Sequence, residues 1–120
     1  MARKQFAILG MGRFGSAMGR TLASMGHDVL AVDSDETRIN DIADEVTHAL
    51  IMDITDEESI RQLGLSNFDV VVVSIGHDLQ ASIMAVVLAK ETGAKTVIAK
   101  ATDDLHAKIL QKVGADRVVM

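Results

Sequence analysis

Apolar positions along the chain follow two alternating rhythms. Short, largely β-branched runs such as VLAVD (29–33), VVVVSI (70–75) and TVIAK (96–100) are separated by longer stretches in which apolar residues recur at helical spacing. That alternation is the pattern of parallel strands joined by crossover helices. It predicts six strands, at residues 5–9, 28–33, 48–52, 70–75, 96–100 and 117–120. Helices are expected to begin near Arg13, Asp35, Asp56, Asp78 and Asp103, where an aspartate supplies the N-cap or, in Thr55-Asp56-Glu57-Glu58, Thr55 opens a capping box. Gly26, Gly64, Gly93 and Gly114 stand where those helices should end.

The four consecutive valines Val70 to Val73 are apolar on both pleat faces, as a central strand covered by helices on each side must be. The expected fold is therefore a single α/β domain, a Rossmann-like, doubly wound, six-stranded parallel sheet. Right-handed crossovers bring the strand carboxyl ends to one ligand-binding edge. One helix breaks the usual amphipathic pattern. In LQASIMAVVLAKE, Ile83, Val86 and Val87 lie on one side of the wheel, with Ala81, Met84, Ala85 and Leu88 roughly opposite. One side must pack on the sheet. The other is covered by neighbouring helices or by a second subunit, and a small domain has few helices to spare, which favours the subunit.

The first strand runs into ILGMGRFGSAMG, where Gly10, Gly12 and Gly15 have the spacing G-x-G-x-x-G ahead of a helix. In that context Gly10 permits the tight turn, Gly12 lets the backbone approach a pyrophosphate, and Gly15 allows close packing of helix on strand. The motif also calls for an acid some twenty residues on, at the tip of the next strand, to accept the ribose hydroxyls. Asp33 lies eighteen residues after Gly15, whereas Asp35 is placed to cap the following helix. A carboxylate at that tip repels a 2′-phosphate, and Ser34 rather than an arginine follows it, which disfavours NADP and leaves the adenosine of NAD, ATP or ADP.

The other carboxyl ends bring Asp53-Ile54, Ser74-Ile75-Gly76 and Lys100 toward the same crevice. Asp53 there either receives an adenine amino proton or is a solvated loop acid. Lys100 either offsets phosphate charge or is a surface lysine. Arg13 sits in the first turn of its helix, where a cation faces the positive end of the dipole. It either answers a nearby anion or extends into water, and an anion rich enough to need it tilts the ligand toward ATP or ADP.

Bulk properties narrow the classes further. At 120 residues the chain is one domain's worth, and Cys 0 removes disulfides and thiol chemistry, as suits a reducing cytoplasm. The net charge of -5, without a basic run, and an aromatic content of 2% give nucleic acid neither a phosphate-binding face nor a stacking surface. No stretch reaches the ~18 to 20 apolar residues of a membrane span, and the N-terminus carries no signal-peptide pattern, so a cytoplasmic location and no direct membrane insertion are expected. His27, His48, His77 and His106 lie on different elements without metal-pair spacing, and no histidine metal site is expected; His77 reads as an exposed loop residue beside the crevice. A two-component receiver domain is a fold-level competitor, with Ser74 and Lys100 in matching places, but its paired acids would have to follow the first strand, where Gly10-Met11-Gly12 stands.

Taken together, FAILGMGRFG, VLAVDSDE, LGLSNFDVVVVSIG, LQAS and KILQKVGADRVV resemble the nucleotide-binding (RCK or KTN) domain of the cytosolic regulatory subunits of Ktr/Trk-type potassium uptake systems, over essentially the whole chain. The resemblance implies a non-enzymatic module that binds ATP or ADP, with NAD(H) as an alternative. It implies assembly with itself, from a dimer to an octameric ring, beneath a separate membrane-embedded potassium transporter subunit whose flow it gates. By the same match the nucleotide-contacting positions are Gly10, Gly12, Arg13, Phe14, Gly15, Asp33, Ser34, Asp53, Ile54, Ile75, Gly76 and Lys100, with Arg13 in the phosphate-sensing place. Family members continue past GADRVV into a small C-terminal domain, so residues 1–120 are expected to be the N-terminal domain of a longer protein. The competing function is the NAD-binding part of an oxidoreductase, which would also need a substrate domain.

Overall fold

The computed structural model describes residues 2–120. Six strands, β1 (Gln5–Leu9), β2 (Asp28–Asp33), β3 (His48–Ile51), β4 (Val70–Val73), β5 (Val97–Lys100) and β6 (Arg117–Val119), form one sheet in the order β3-β2-β1-β4-β5-β6, every pair parallel. Five helices connect them: α1 (Arg13–Ser24), α2 (Glu36–Ile42), α3 (Glu57–Gln62), α4 (Leu79–Glu91) and α5 (Asp104–Lys112). The expected doubly wound α/β architecture is the one observed.

Alternate residues of each central strand feed two separate cores. Ala7, Leu9, Val71, Val73, Val97 and Ala99 face a cluster completed by α3, α4 and α5, and Ile8, Val29, Ala31 and Val72 face one completed by α1 and α2. All four valines of β4 are thus packed, three of them fully buried. Burying a side chain of this size contributes roughly 1.5–3 kcal/mol, so the sheet interior is specified from both faces at once.

Helix starts agree with expectation, because Asp35, Asp56, Asp78 and Asp103 each accept backbone N–H groups from the first turn they precede. The capping box at Thr55 does not form. Asp56 is the cap of α3, accepting from the Ser59 N–H, and the Thr55 hydroxyl turns back to Asp53. Several strands end one or two residues short of expectation. The Ser74 N–H still donates to the Leu9 carbonyl at 2.9 Å, but β1 turns away at Gly10, so Ile75 has no strand beside it and is released toward the crevice.

The α4 expectation is overturned. Ala81, Ala85 and Leu88, assigned above to a face awaiting a second copy, are buried within the domain, and only Met84 of that set is exposed. The reason is position in the layer: α4 is the middle of three helices, with α3 and α5 packed on either side of it. Buried polar groups on this helix are satisfied as well, since the His106 Nε2 and the Ser82 hydroxyl lie 2.6 Å apart across α4 and α5.

Candidate functional site

Strand order reverses between β1 and β4, so the chain leaves their carboxyl ends in opposite directions and opens a crevice there. The cavity has a volume of about 570 Å³. Gly10, Gly12, Arg13, Phe14, Asp33, Ser34, Asp53, Ile54, Ile75, Gly76 and Lys100 all line it, so every expected site residue except Gly15 reaches one hollow. Gly15 lies beneath it, buried where α1 crosses the turn.

The turn itself is held from three sides. Gly10 has φ +105°, a conformation that glycine adopts without steric cost, and its N–H donates to the Val32 carbonyl at 2.8 Å. Its carbonyl accepts the Ser74 hydroxyl at 2.6 Å. At Gly15 a Cβ would overlap the Gly10 carbonyl oxygen, so the close packing expected of the third glycine is present. Gly12 is different: nothing lies within 4 Å of where its Cβ would be. That open space at the second glycine, which lines the crevice, suits the approach of a phosphate group.

Helix α1 is also the one whose start is left open. No side chain caps it and no acid occupies its first turn, whereas the four other α-helices begin at aspartate caps. Its free N–H groups and dipole favour an anion. Arg13 and Lys100 add positive charge on the same hollow; Arg13 is exposed, and Lys100 rests its ammonium on the Ala101 carbonyl at 3.2 Å.

Asp33 is less free than its place at a strand tip suggested. It is 6% exposed, its Oδ2 accepts the Met11 N–H at 2.7 Å and its Oδ1 the Asp35 N–H at 2.8 Å. Each oxygen keeps one lone-pair direction for a hydroxyl, so the carboxylate both braces the glycine turn and borders the crevice. Asp53, at the far end, is exposed and remains an acceptor. The Thr55 hydroxyl at 2.6 Å and the Thr55 N–H at 2.9 Å hold its carboxyl below the ordinary range.

The crevice also holds Arg38, Thr55, Asp78 and Ala81, which the sequence reading did not place there, together with Ser74 and His77, which it brought to the crevice without a ligand contact. Asp78 is occupied as the α4 cap, and His77 is exposed on the rim as expected. Arg38 follows Asp33 by five residues, one turn into α2, and its guanidinium lies 3.8 Å from both Asp33 and Asp35.

Comparison with known proteins gives the same architecture a family context. The TrkA-N domain model matches residues 6–120. The chain is 45% identical over 117 residues to the Ktr system potassium uptake protein C of Bacillus subtilis, and equally to the Ktr system potassium uptake protein A of Vibrio alginolyticus, covering 98% of this chain and 53% of each relative. The chain thus spans about half the length of these curated relatives. Among solved structures, the GsuK channel bound to NAD superposes with a TM-score of 0.83 at 16% identity, over 98% of this chain and 21% of that one. GsuK bound to ADP gives 0.82 at 17% identity, over 98% of this chain and 31% of that one.

Proposed function

This chain belongs to the TrkA-N domain family, and we propose that it is a nucleotide-sensing regulatory module of a potassium uptake system. The observation that carries the reading is the turn: an open Gly12, an uncapped α1 and Asp33 all border one crevice at the switch point of the sheet. The ligand is an adenosine nucleotide, ATP or ADP, with NAD(H) as an alternative. The structures that share the fold include GsuK bound to NAD and GsuK bound to ADP, which supports a nucleotide of this class.

In this reading the α1 N-terminus and Gly12 receive the phosphates, Asp33 accepts the ribose hydroxyls, and Asp53 with Ile54 and Ile75 borders the base. Arg13 and Lys100 offset the phosphate charge. The module works in the cytoplasm with further copies of itself and a membrane-embedded potassium transporter subunit. No helix of the described residues is long and apolar enough to cross a membrane. A regulator of this kind acts only through a difference in affinity between its two states.

Native mass spectrometry of the purified chain tests the reading through two masses at once. A bound adenosine nucleotide in a dimer or larger assembly supports it, and NAD retained on a monomer favours the oxidoreductase fragment instead. Self-association has a sharper probe in Met84, which is exposed on α4 together with Leu79. Met84→Glu is expected to leave the fold intact and to lower the assembly mass seen by light scattering; an unchanged mass places the contact elsewhere.

Arg13 decides between sensing and simple binding. Arg13→Ala is expected to weaken ATP about tenfold, the worth of one charge-assisted bond, while ADP changes much less, so that the gap between the two nucleotides narrows in calorimetric titrations. Equal loss of both would make Arg13 a general phosphate contact, and no loss of either a solvated residue.

A further inference from the structure

Two loops form the wall of the crevice on the β4 and β5 side. One leaves β4 at Ser74 and lines the hollow through Ile75, Gly76 and Asp78; the other leaves β5 at Lys100 and enters α5 past Thr102. They meet where the Thr102 methyl group lies 3.5 Å from the place a Cβ on Gly76 would take. Behind them is His106, 2% exposed, a buried titratable side chain that does not itself line the crevice.

The hydrogen bonds of its ring fix the tautomer. The Thr102 N–H donates to Nδ1 at 3.1 Å. A backbone N–H can only donate, so Nδ1 carries the lone pair and the ring proton is on Nε2. That proton is donated to the Ser82 hydroxyl oxygen at 2.6 Å, and the hydroxyl donates in turn to the Leu79 carbonyl at 3.0 Å. One side of the ring therefore holds the turn that follows β5, and the other holds the first turn of α4, which follows the β4 loop.

Neither ring nitrogen has capacity to spare. A second proton would go to Nδ1 and point at the Thr102 N–H, and none of the ion pairs among the described residues includes His106. The two nearest carboxylates in sequence on these elements are already engaged, Asp103 by the backbone N–H of His106 at 2.8 Å and Asp78 as the cap of α4. Lys100, at the end of β5, adds a like charge on the crevice side. Asp104 and Lys108 are exposed on α5, Lys90 and Glu91 lie at the far end of α4, and on β6 Arg117 pairs in register with Ile98, two residues below Lys100.

We propose that His106 is a positioning residue of the nucleotide site: as the neutral imidazole it clasps the turn after β5 to the start of α4, and so sets the spacing of the two loops that border the ligand. The proposal rests on the nucleotide-binding reading above and adds a regulation to it. Protonation at Nδ1 removes the acceptor of the Thr102 N–H and opens the clasp. Nucleotide affinity is thus full while the ring is neutral and falls as the ring gains its second proton.

Two variants and one spectrum test this. His106→Asn keeps a side-chain acceptor for the Thr102 N–H and carries no titratable group, whereas His106→Leu keeps neither bond. Calorimetric titrations with ADP compare both variants with the parent chain at about pH 8 and about pH 5, the span in which histidines change charge; taking ratios at each pH cancels the titration of ADP itself. At the higher pH His106→Asn is expected to match the parent chain and His106→Leu to bind about tenfold more weakly, with thermal melts reporting that each is folded. At the lower pH the parent chain should fall toward His106→Leu while His106→Asn keeps its advantage. Nitrogen-15 NMR of the parent chain at pH 8 should show His106 protonated on Nε2, and the opposite tautomer overturns the proposal without any variant. So does a parallel loss of affinity in the parent chain and His106→Asn, or a folded His106→Leu that binds ADP as the parent does. Absence of ADP binding by the parent chain at pH 8 removes the nucleotide reading and this proposal with it, whereas binding with one pH profile common to all three chains removes only the role of His106.

Discussion

Gly15→Ala is expected to cost on the order of 3 kcal/mol of stability and to abolish measurable binding of ATP, ADP and NAD alike. The added methyl would overlap the Gly10 carbonyl oxygen and approach the Ser74 Oγ at 2.5 Å. Neither group can withdraw cheaply. The Gly10 carbonyl is the acceptor of the Ser74 hydroxyl, and Gly10 is pinned by its N–H bond to Val32. Helix α1 must therefore rise off the turn, and its N–H groups leave the crevice. Gly12→Ala is the control, because its methyl enters empty space: the fold should be kept and only the ligands weakened. Urea denaturation and calorimetry on the two variants separate these outcomes. Equal stability of Gly15→Ala and the parent chain would mean that the turn is looser than the structure shows.

Asp33→Ala is the second large effect and should appear in two measurements. Met11 is 2% exposed, and its N–H loses its acceptor, which costs about 1–3 kcal/mol of stability. Affinity for every ligand carrying the ribose should fall by about 1.5–3 kcal/mol as the charge-assisted bonds are lost, with ATP, ADP and NAD weakening together. The difference between ATP and ADP should survive, in contrast to Arg13→Ala. Asp33→Asn retains an acceptor for one of the two backbone N–H groups and should be less destabilised. Unchanged affinity for all three ligands in a folded Asp33→Ala chain would take Asp33 out of the site.

How much of this was legible beforehand depends on the distance over which each feature is encoded. The glycine spacing, the aspartate caps and the both-faces-apolar run at Val70–Val73 are local, and each was readable because backbone preference and burial pattern act within a few residues. The error at Thr55 was local too, since two adjacent residues could each have capped α3 and Asp56 took the role once Thr55 turned back to Asp53.

The sequence by itself determined the order of strands and helices and the doubly wound class, because these follow from periodicity and from the rule that parallel strands present their carboxyl ends together, while the site positions, as a set of twelve, came from the family resemblance, and eleven of those twelve border the crevice. Tertiary structure decided the rest. The Ser74 hydroxyl reaches the Gly10 carbonyl across 64 residues of chain, and nothing near either residue announces the bond. A helical wheel records which side chains of α4 are apolar but not that α3 and α5 flank it, so the apolar face came to rest inside the domain. Arg38 joined the site for the same reason. Its neighbours in sequence mark a helix, and only the packing of α2 against the sheet brings its guanidinium beside Asp33, because electrostatic contacts are set by distance in space and not along the chain.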